Sequence, residues 1–438
     1  MAESFDLVIQ NARIVDGSGN PYFLAHVGLS QGRIEKIDRC VDPCGAKRVI
    51  DVEGMIACPG FFDSHSHDDA YLIANPGCSD KILQGVTTEV IGNCGVSLAP
   101  LSDAHYMEIK NIFRLLGGDH LPDNAWRIRS FADSLAELEA AKPSVNVVPL
   151  VGHASIRIAV MGVEERDPTE DELGEMKRLA GRAMEDGAFG LSTGLIYVPA
   201  NYAKTEEIIE LIRVVGPYHG LYATHLRSEG DGVMAAIDEA LRIGKAGDVP
   251  VVISHHKVIG RDNWTRSVET LQKIDKARAE GQEVVCDQYP YRAGSTFLAA
   301  LLPPSVQAGG SHAYSEKLKD PNLRRAVVEE IENKGGCQWE NMIKAAGFEG
   351  VVISITQKNQ EYVGRSISQI ANNEKKDPYD VFFDLLVEEG EGVGVILQYM
   401  DEGDVQRILK SPLTMIGTDG FPDFGENQVH PRQTGTFP

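Results

Sequence analysis

Two histidines one residue apart, in Pro59-Gly60-Phe61-Phe62-Asp63-Ser64-His65-Ser66-His67, are the first sign of chemistry in this chain. On a strand, residues i and i+2 share a face, so both imidazoles can reach one point. Such a pair also occurs on surface loops and is weak alone. It gains weight from Cys94, His225, His255 and Asp419, each at the carboxyl end of an apolar run. Two imidazoles and a thiolate suit zinc, in a tetrahedral site with one position left for water. Zinc would hold the cysteine as thiolate and bring the pKa of its water towards neutrality. Asp419 is then the natural general base, taking a proton from that water and passing it to a leaving nitrogen. The bland alternatives are a filler cysteine, satisfied core histidines and, for Asp419, a helix N-cap. The shared register of the residues outweighs them.

Positioning these groups requires strands that end at one face. Residues 5–57 contain short strands with turn signals: 6–9, 12–15, 26–29, 33–37 and 49–52. From Met55 onward the pattern becomes strand, loop, helix, repeated. Buried strands are expected at Met55-Ile56-Ala57-Cys58, 88–91, 145–150, 188–191, 221–224, 249–253, 283–286 and 414–417. Between them, Asp167-Pro168-Thr169-Glu170 offers an N-cap and an N1 proline, followed by an apolar stripe of Leu173, Met176, Leu179, Ala180 and Ala183. Near-continuous β-runs alternating with helices mean α/β architecture with a parallel sheet, and eight such units predict a (β/α)8 TIM-type barrel. The predicted organisation is a small β-sandwich portion at 1–57 and a barrel at 58–438, with an inserted subdomain at about 297–411 between strands seven and eight. A sandwich needs partner strands that the chain to Pro438 does not offer, which suggests a shortened C-terminus.

Composition narrows the class. A hydrophobic fraction of 42% and a charged fraction of 24% are those of a soluble globular protein. A net charge of -22 argues against nucleic-acid and anionic-membrane partners. Seven scattered cysteines are no disulfide framework, and Cys40-x-x-x-Cys44 lacks the second pair a structural zinc site needs. With no signal-like start and no membrane-length apolar stretch, a cytoplasmic location is expected.

The motifs resemble the amidohydrolase superfamily, and more closely its N-acyl-D-amino-acid deacylase (D-aminoacylase) branch. The matching segments are Gly60–His67, Gly92-Asn93-Cys94-Gly95, Val151-Gly152-His153, Gly187–Leu195, Ala223-Thr224-His225-Leu226-Arg227, Ile253-Ser254-His255-His256-Lys257, Asp287-Gln288-Tyr289-Pro290-Tyr291, Gly417-Thr418-Asp419-Gly420 and His430-Pro431-Arg432. Many superfamily members bridge two metals with a carboxylated lysine ending strand four. Here Leu191-Ser192-Thr193-Gly194 has none, and Cys94 takes that place. The resemblance implies one tight zinc on Cys94, His225 and His255, with His65 and His67 lining a weaker second site. The family pattern favours His255 over His256 as the ligand. It further implies that Lys257, Tyr289 and Arg432 grip a substrate carboxylate and that Tyr197 lines the pocket. A cation with hydroxyls gives charge-assisted bonds to an anion. His153, ending strand three, is read as a hydrogen-bonding partner behind the ligands, and Thr193 as a substrate-side loop residue. Glu229 either backs the ligands or starts the next helix. The implied reaction is zinc-dependent hydrolysis of the amide of an N-acyl-D-amino acid to a carboxylate and a free D-amino acid. Its rivals are a cyclic-amide hydrolase or dipeptidase on the same site, and a non-catalytic scaffold of the same fold.

Overall fold

The computed structural model describes residues 4–333, 339–420, 432 and 434–438. His430, Pro431 and Cys337 therefore lie outside the described residues. The chain divides into two compact units, Met1–Phe61 and Phe62–Pro438.

In the first unit, β1 (Leu7–Ile14), β2 (Phe23–Ser30), β3 (Arg33–Asp38), β4 (Arg48–Asp51) and β5 (Ile56–Ala57) form one five-stranded sheet. The strands expected separately at 6–9 and 12–15 are one, because a bulge between Ile9 and Ala12 absorbs the irregularity. Met55-Ile56-Ala57-Cys58, expected as the first strand of the larger domain, belongs here instead. Its Ile56 and Ala57 pair with Arg13 and Ile14. An apolar run signals a strand but does not say which sheet will take it.

The second unit is α/β with parallel sheets. In it β6 (Phe61–Asp63), β7 (Val86–Ile91) and β8 (Asn146–Pro149) pair in that order. A second run continues through β9 (Val151–Gly152), β10 (Gly190–Gly194), β11 (Leu221–His225), β12 (Val251–Ile253) and β13 (Val284–Gln288). Two links join the runs. Leu150 N, between β8 and β9, donates to Ile91 O at 3.0 Å, and Ser64 N, just past β6, donates to Ile416 O at 3.2 Å. Helices Glu170–Asp186, Thr205–Val215, Val233–Gly247 and Ser267–Ala279 alternate with the strands and bury their apolar stripes in the main core. The cap of the first is Thr169 rather than Asp167. Its side chain accepts from Glu172 N while Glu172 reaches back, a capping box that places the helix start after the proline.

Between β13 and the last strand the chain makes a long excursion. It contains β14 (Ala293–Phe297), β15 (Val351–Ile355) and β16 (Gly394–Gln398), antiparallel in the order β14-β16-β15, and it has its own apolar core. The excursion thus begins ahead of the expected 297. The chain returns as β17 (Thr414–Ile416), parallel to β13. No described helix is long and apolar enough to cross a membrane.

Candidate metal-centred active site

All the candidate ligands leave their strands at one end. His65 and His67 follow β6, Cys94 follows β7, His225 ends β11, His255 follows β12 and Asp419 follows β17. Cys94 (φ 50°), His255 (φ 35°) and Asp419 (φ 47°) all adopt left-handed backbone. Non-glycine residues avoid that region at a cost of about 1–3 kcal/mol each, and its concentration here marks a site that the surrounding fold over-determines. Two glycines allow the crowding. A Cβ on Gly194 would meet Cys94 O at 2.2 Å, and one on Gly417 would meet His65 Cβ at 2.7 Å.

The Cys94 sulfur lies 3.4 Å from His255 Nε2, 3.5 Å from His65 Nε2 and 3.8 Å from His225 Nδ1. Among the described residues, three donor sets have ligand atoms within 4.8 Å of one another: His65, Cys94 and His255; His65, His67 and Asp419; His225, Glu229 and His255. The resemblance implies a His65–His67 position apart from Cys94, whereas His65 belongs both to a set with Cys94 and to one with His67 and Asp419. All these side chains are buried. Soft sulfur, imidazoles and carboxylates in water-poor surroundings are a donor set that suits zinc. His225 Nε2 is also buried without a hydrogen-bond partner. These residues fit a metal centre.

The electrostatics are those of a poised cluster. Burial opposes a thiolate at Cys94, but the His255 and His65 imidazoles and hydrogen bonds from His225 and His255 hold the thiol well below its usual range. Burial also opposes charge on His67, yet its bond to Asp419 and the nearby Cys94 push it up to about 9. Asp419 would be raised by burial, but Arg432 and His67 hold its carboxyl well below the usual carboxylate range.

His255, not His256, faces the cluster. His256 Nε2 instead lies 2.9 Å from Thr270 Oγ1. Lys257 is buried, and its Nζ donates to Glu229 Oε1 at 2.6 Å and lies 2.7 Å from His255 Nδ1. Arg432 pairs with Asp419 and stacks on Tyr289, its guanidinium carbon 4.0 Å from the ring centroid. The Tyr289 hydroxyl is buried and unpartnered, and Tyr197 stands edge-on to His225 at 5.1 Å. Lys257, Tyr289, Arg432 and Tyr197 line one cleft with His67, Cys94, His225, His255 and Asp419.

Two expectations fail. Thr193 lies within β10, bonded to Tyr222 and Thr224, because its side chain points into the sheet packing. His153 opens the helix His153–Met161, and its Nε2 lies 2.8 Å from Glu207 Oε1, beside the Arg157–Glu207 pair. It serves that buried network rather than the ligands.

Glu229, expected either to back the ligands or to start the next helix, stands beside the ligands, and two unexpected residues, Asp287 and Lys81, join it. Glu229 precedes the helix at Val233 and faces His255, Lys257 and His225. Asp287 Oδ1 accepts from His255 N at 2.6 Å and lies 3.4 Å from His65 Nδ1. Behind the histidine pair, the buried Lys81 Nζ lies 2.7 Å from Asp63 Oδ2, 3.0 Å from Asp68 Oδ2 and 3.6 Å from Glu89 Oε2. It also donates to Thr418 Oγ1 at 3.0 Å, joining the bases of His65 and Asp419. Asp63 and Asp68, flanking the histidines, were the available signal; Lys81 had none.

Comparison with known proteins identifies the family. A model described as the amidohydrolase family matches residues 48–287. D-aminoacylase of Alcaligenes xylosoxydans xylosoxydans is 40% identical over 437 residues, spanning 100% of this chain and 78% of the relative. A solved D-aminoacylase, studied for the functional role of its binuclear metal centre, superposes with a TM-score of 0.79 at 38% identity, covering 99% of this chain and 79% of that one. N-acyl-D-glutamate deacylase from Bordetella bronchiseptica, solved with zinc and a phosphonate mimic of the tetrahedral intermediate, gives a TM-score of 0.80 at 32% identity, with 99% and 80% covered. The chain belongs to the amidohydrolase family, in its D-aminoacylase branch.

Proposed function

We propose that this protein is a zinc-dependent hydrolase of the amide bond of N-acyl-D-amino acids, giving a carboxylate and a free D-amino acid. The observation that carries the reading is the convergence of His65, His67, Cys94, His225, His255 and Asp419, all buried, at one end of the parallel strands. Active sites of (β/α)8 barrels lie at that face, and we read the linked runs of strands as such a barrel carrying an inserted subdomain after β13. The unit Met1–Phe61 supplies the small sandwich portion.

Cys94, His225 and His255 would hold the tight zinc, with Glu229 and Asp287 fixing the His255 ring and backbone. His65 and His67 would serve a weaker second position. Bound zinc supplies Lewis-acid activation of water and of the scissile carbonyl. Asp419, kept ionised by Arg432, accepts the proton of the attacking water and returns it to the leaving nitrogen as the C–O bond forms and the C–N bond breaks. Arg432, Lys257 and the unpartnered Tyr289 hydroxyl orient the substrate carboxylate, and Tyr197 walls the pocket.

The test is amine release from N-acetyl-D- and N-acetyl-L-amino acids and ring opening of a hydantoin, with zinc quantified in the same preparation. Hydrolysis of D substrates by zinc-loaded protein supports the reading. Selective ring opening, or no hydrolysis with full zinc, refutes it.

A further inference from the structure

Away from the ligands, the cleft is lined by apolar groups, including Ile112, Leu116, Ile196, Phe297, Ala300 and Met342. Among them stands an acid, Glu391, on the turn between the helix Pro378–Glu389 and β16. Its Oε2 is closed off from solvent and has no hydrogen-bond partner. Buried carboxyls are normally paired or hydrogen-bonded, so an orphan facing a substrate cleft points to a partner carried in by the substrate. Burial pushes Glu391 up to about 7, with Arg114 countering and Glu108 reinforcing the shift. Arg114 is itself held, donating to Gln357 Oε1 at 2.6 Å and facing Asp119.

The lysine and arginine among the described lining residues are Lys257 and Arg432, and each already faces a carboxylate, Glu229 and Asp419; His67, the third basic group, is taken up by Asp419 and the metal position. The substrate α-carboxylate must share these two. A second carboxylate on the substrate side chain would find no further cation among the described lining residues, and would meet Glu391.

Resting on the reading of the cleft as an N-acyl-D-amino-acid site, we infer that Glu391 determines side-chain selectivity. It rejects acidic side chains and accepts an apolar stem tipped with a cation or hydrogen-bond donor. Selectivity of this kind combines an attractive contact to one substrate with repulsion of the other.

The experiment measures kcat/KM of the zinc-loaded full chain on N-acetyl-D-lysine, N-acetyl-D-leucine and N-acetyl-D-glutamate, for wild type and the near-isosteric Glu391→Gln. Assayed at a pH above the Glu391 value of about 7, where the carboxylate is charged, wild type should favour the lysine over the glutamate substrate by about 10-fold or more, as expected for a buried like charge against an opposite one. Glu391→Gln should raise the glutamate-to-leucine ratio and lower the lysine-to-leucine ratio, each by roughly 10-fold. Ratios that stay within about 2-fold of wild type would overturn the assignment. A wild-type preference for the glutamate substrate would do so without any variant. If wild type cleaves none of the three, the deacylase reading itself fails; if it cleaves the leucine substrate and the ratios do not move, only the role of Glu391 fails.

Discussion

The carboxyl ends of the parallel strands and the excursion between β13 and β17 meet at the same cleft, yet they are built differently. On the strand side, imidazoles, a thiol and carboxyls crowd together out of water, and Cys94, His255 and Asp419 carry left-handed backbone. In the excursion, Leu298, Leu301, Val351, Ile353, Phe382 and Leu397 pack an ordinary apolar core, and the residues it lends to the cleft, such as Phe297, Ala299 and Ala300, are mostly apolar. Buried charge and backbone strain persist only where the surroundings enforce them, and parallel strands fixed on both sides provide that enforcement. The excursion frames the cleft with shape, and Glu391 is the charged group it adds. The contrast assigns chemistry to the strand ends and substrate choice to the excursion.

The hardest test of that division is on the strand side. Asp419→Asn keeps the shape and removes the base, so kcat should fall by about 10²–10⁴-fold with KM little changed. Cys94→Ala should abolish both zinc binding and hydrolysis. Retention of stoichiometric zinc and activity in Cys94→Ala would exclude that thiolate as a ligand. Next in size is the structural cluster behind the histidines. Lys81→Met leaves Asp63 and Asp68 buried without their cation, and urea unfolding should show a loss of about 3–5 kcal/mol. A near-neutral result would mean that those carboxyls protonate at little cost.

On the excursion side, Phe297→Ala should lower kcat/KM for an N-acetyl-D-amino acid with an apolar side chain by roughly 10-fold, acting through KM. A fall confined to kcat would erase the division between the two regions. Zinc binding offers a further probe. In the metal-free cluster His67, raised to about 9, carries a proton at neutral pH. A metal ligand must be deprotonated, so occupancy of the second position proposed at His65 and His67 should release that proton. Its apparent affinity should rise by about tenfold per pH unit for each proton released, up to about pH 9, as zinc titrations at several pH values would show.

The smallest effect belongs to the outer helices. Glu172, in the capping box and paired with Arg166, is held down to about 2. Because its folded pKa lies below the unfolded value of about 4.3, its stabilising contribution is complete above that pH and is lost as pH falls through about 2. Glu172→Gln should therefore lower the melting temperature slightly at pH 7, with the difference gone by pH 2. A penalty that persisted in acid would show that the amide disturbs packing rather than charge.

Much of this site is legible without coordinates, and the misses share a cause. His65, His67, Cys94, His225, His255 and Asp419 stand out because each rare side chain closes an apolar run, and strand ends converge in a parallel α/β fold. His255 and His256 differ by nothing but the family pattern; the left-handed turn at His255 sends one ring to Cys94 and leaves the other against Thr270. Lys81 and Glu391 carry no local signature. The partners of Lys81, for example, come from both ends of the chain, at Asp63 and at Thr418. Ile56 and Ala57 were placed in the wrong sheet because hydrophobicity reports burial, not the neighbour that provides it.

By itself, then, the sequence determined which atoms are available for chemistry and that strand ends would deliver them, since side-chain type and two-residue periodicity are local properties. Only the tertiary structure decided which ring faces the sulfur, which carboxylate answers which cation, and which acid is left alone in the cleft. Those outcomes depend on distances between residues far apart along the chain, and on a desolvation that no single segment can impose.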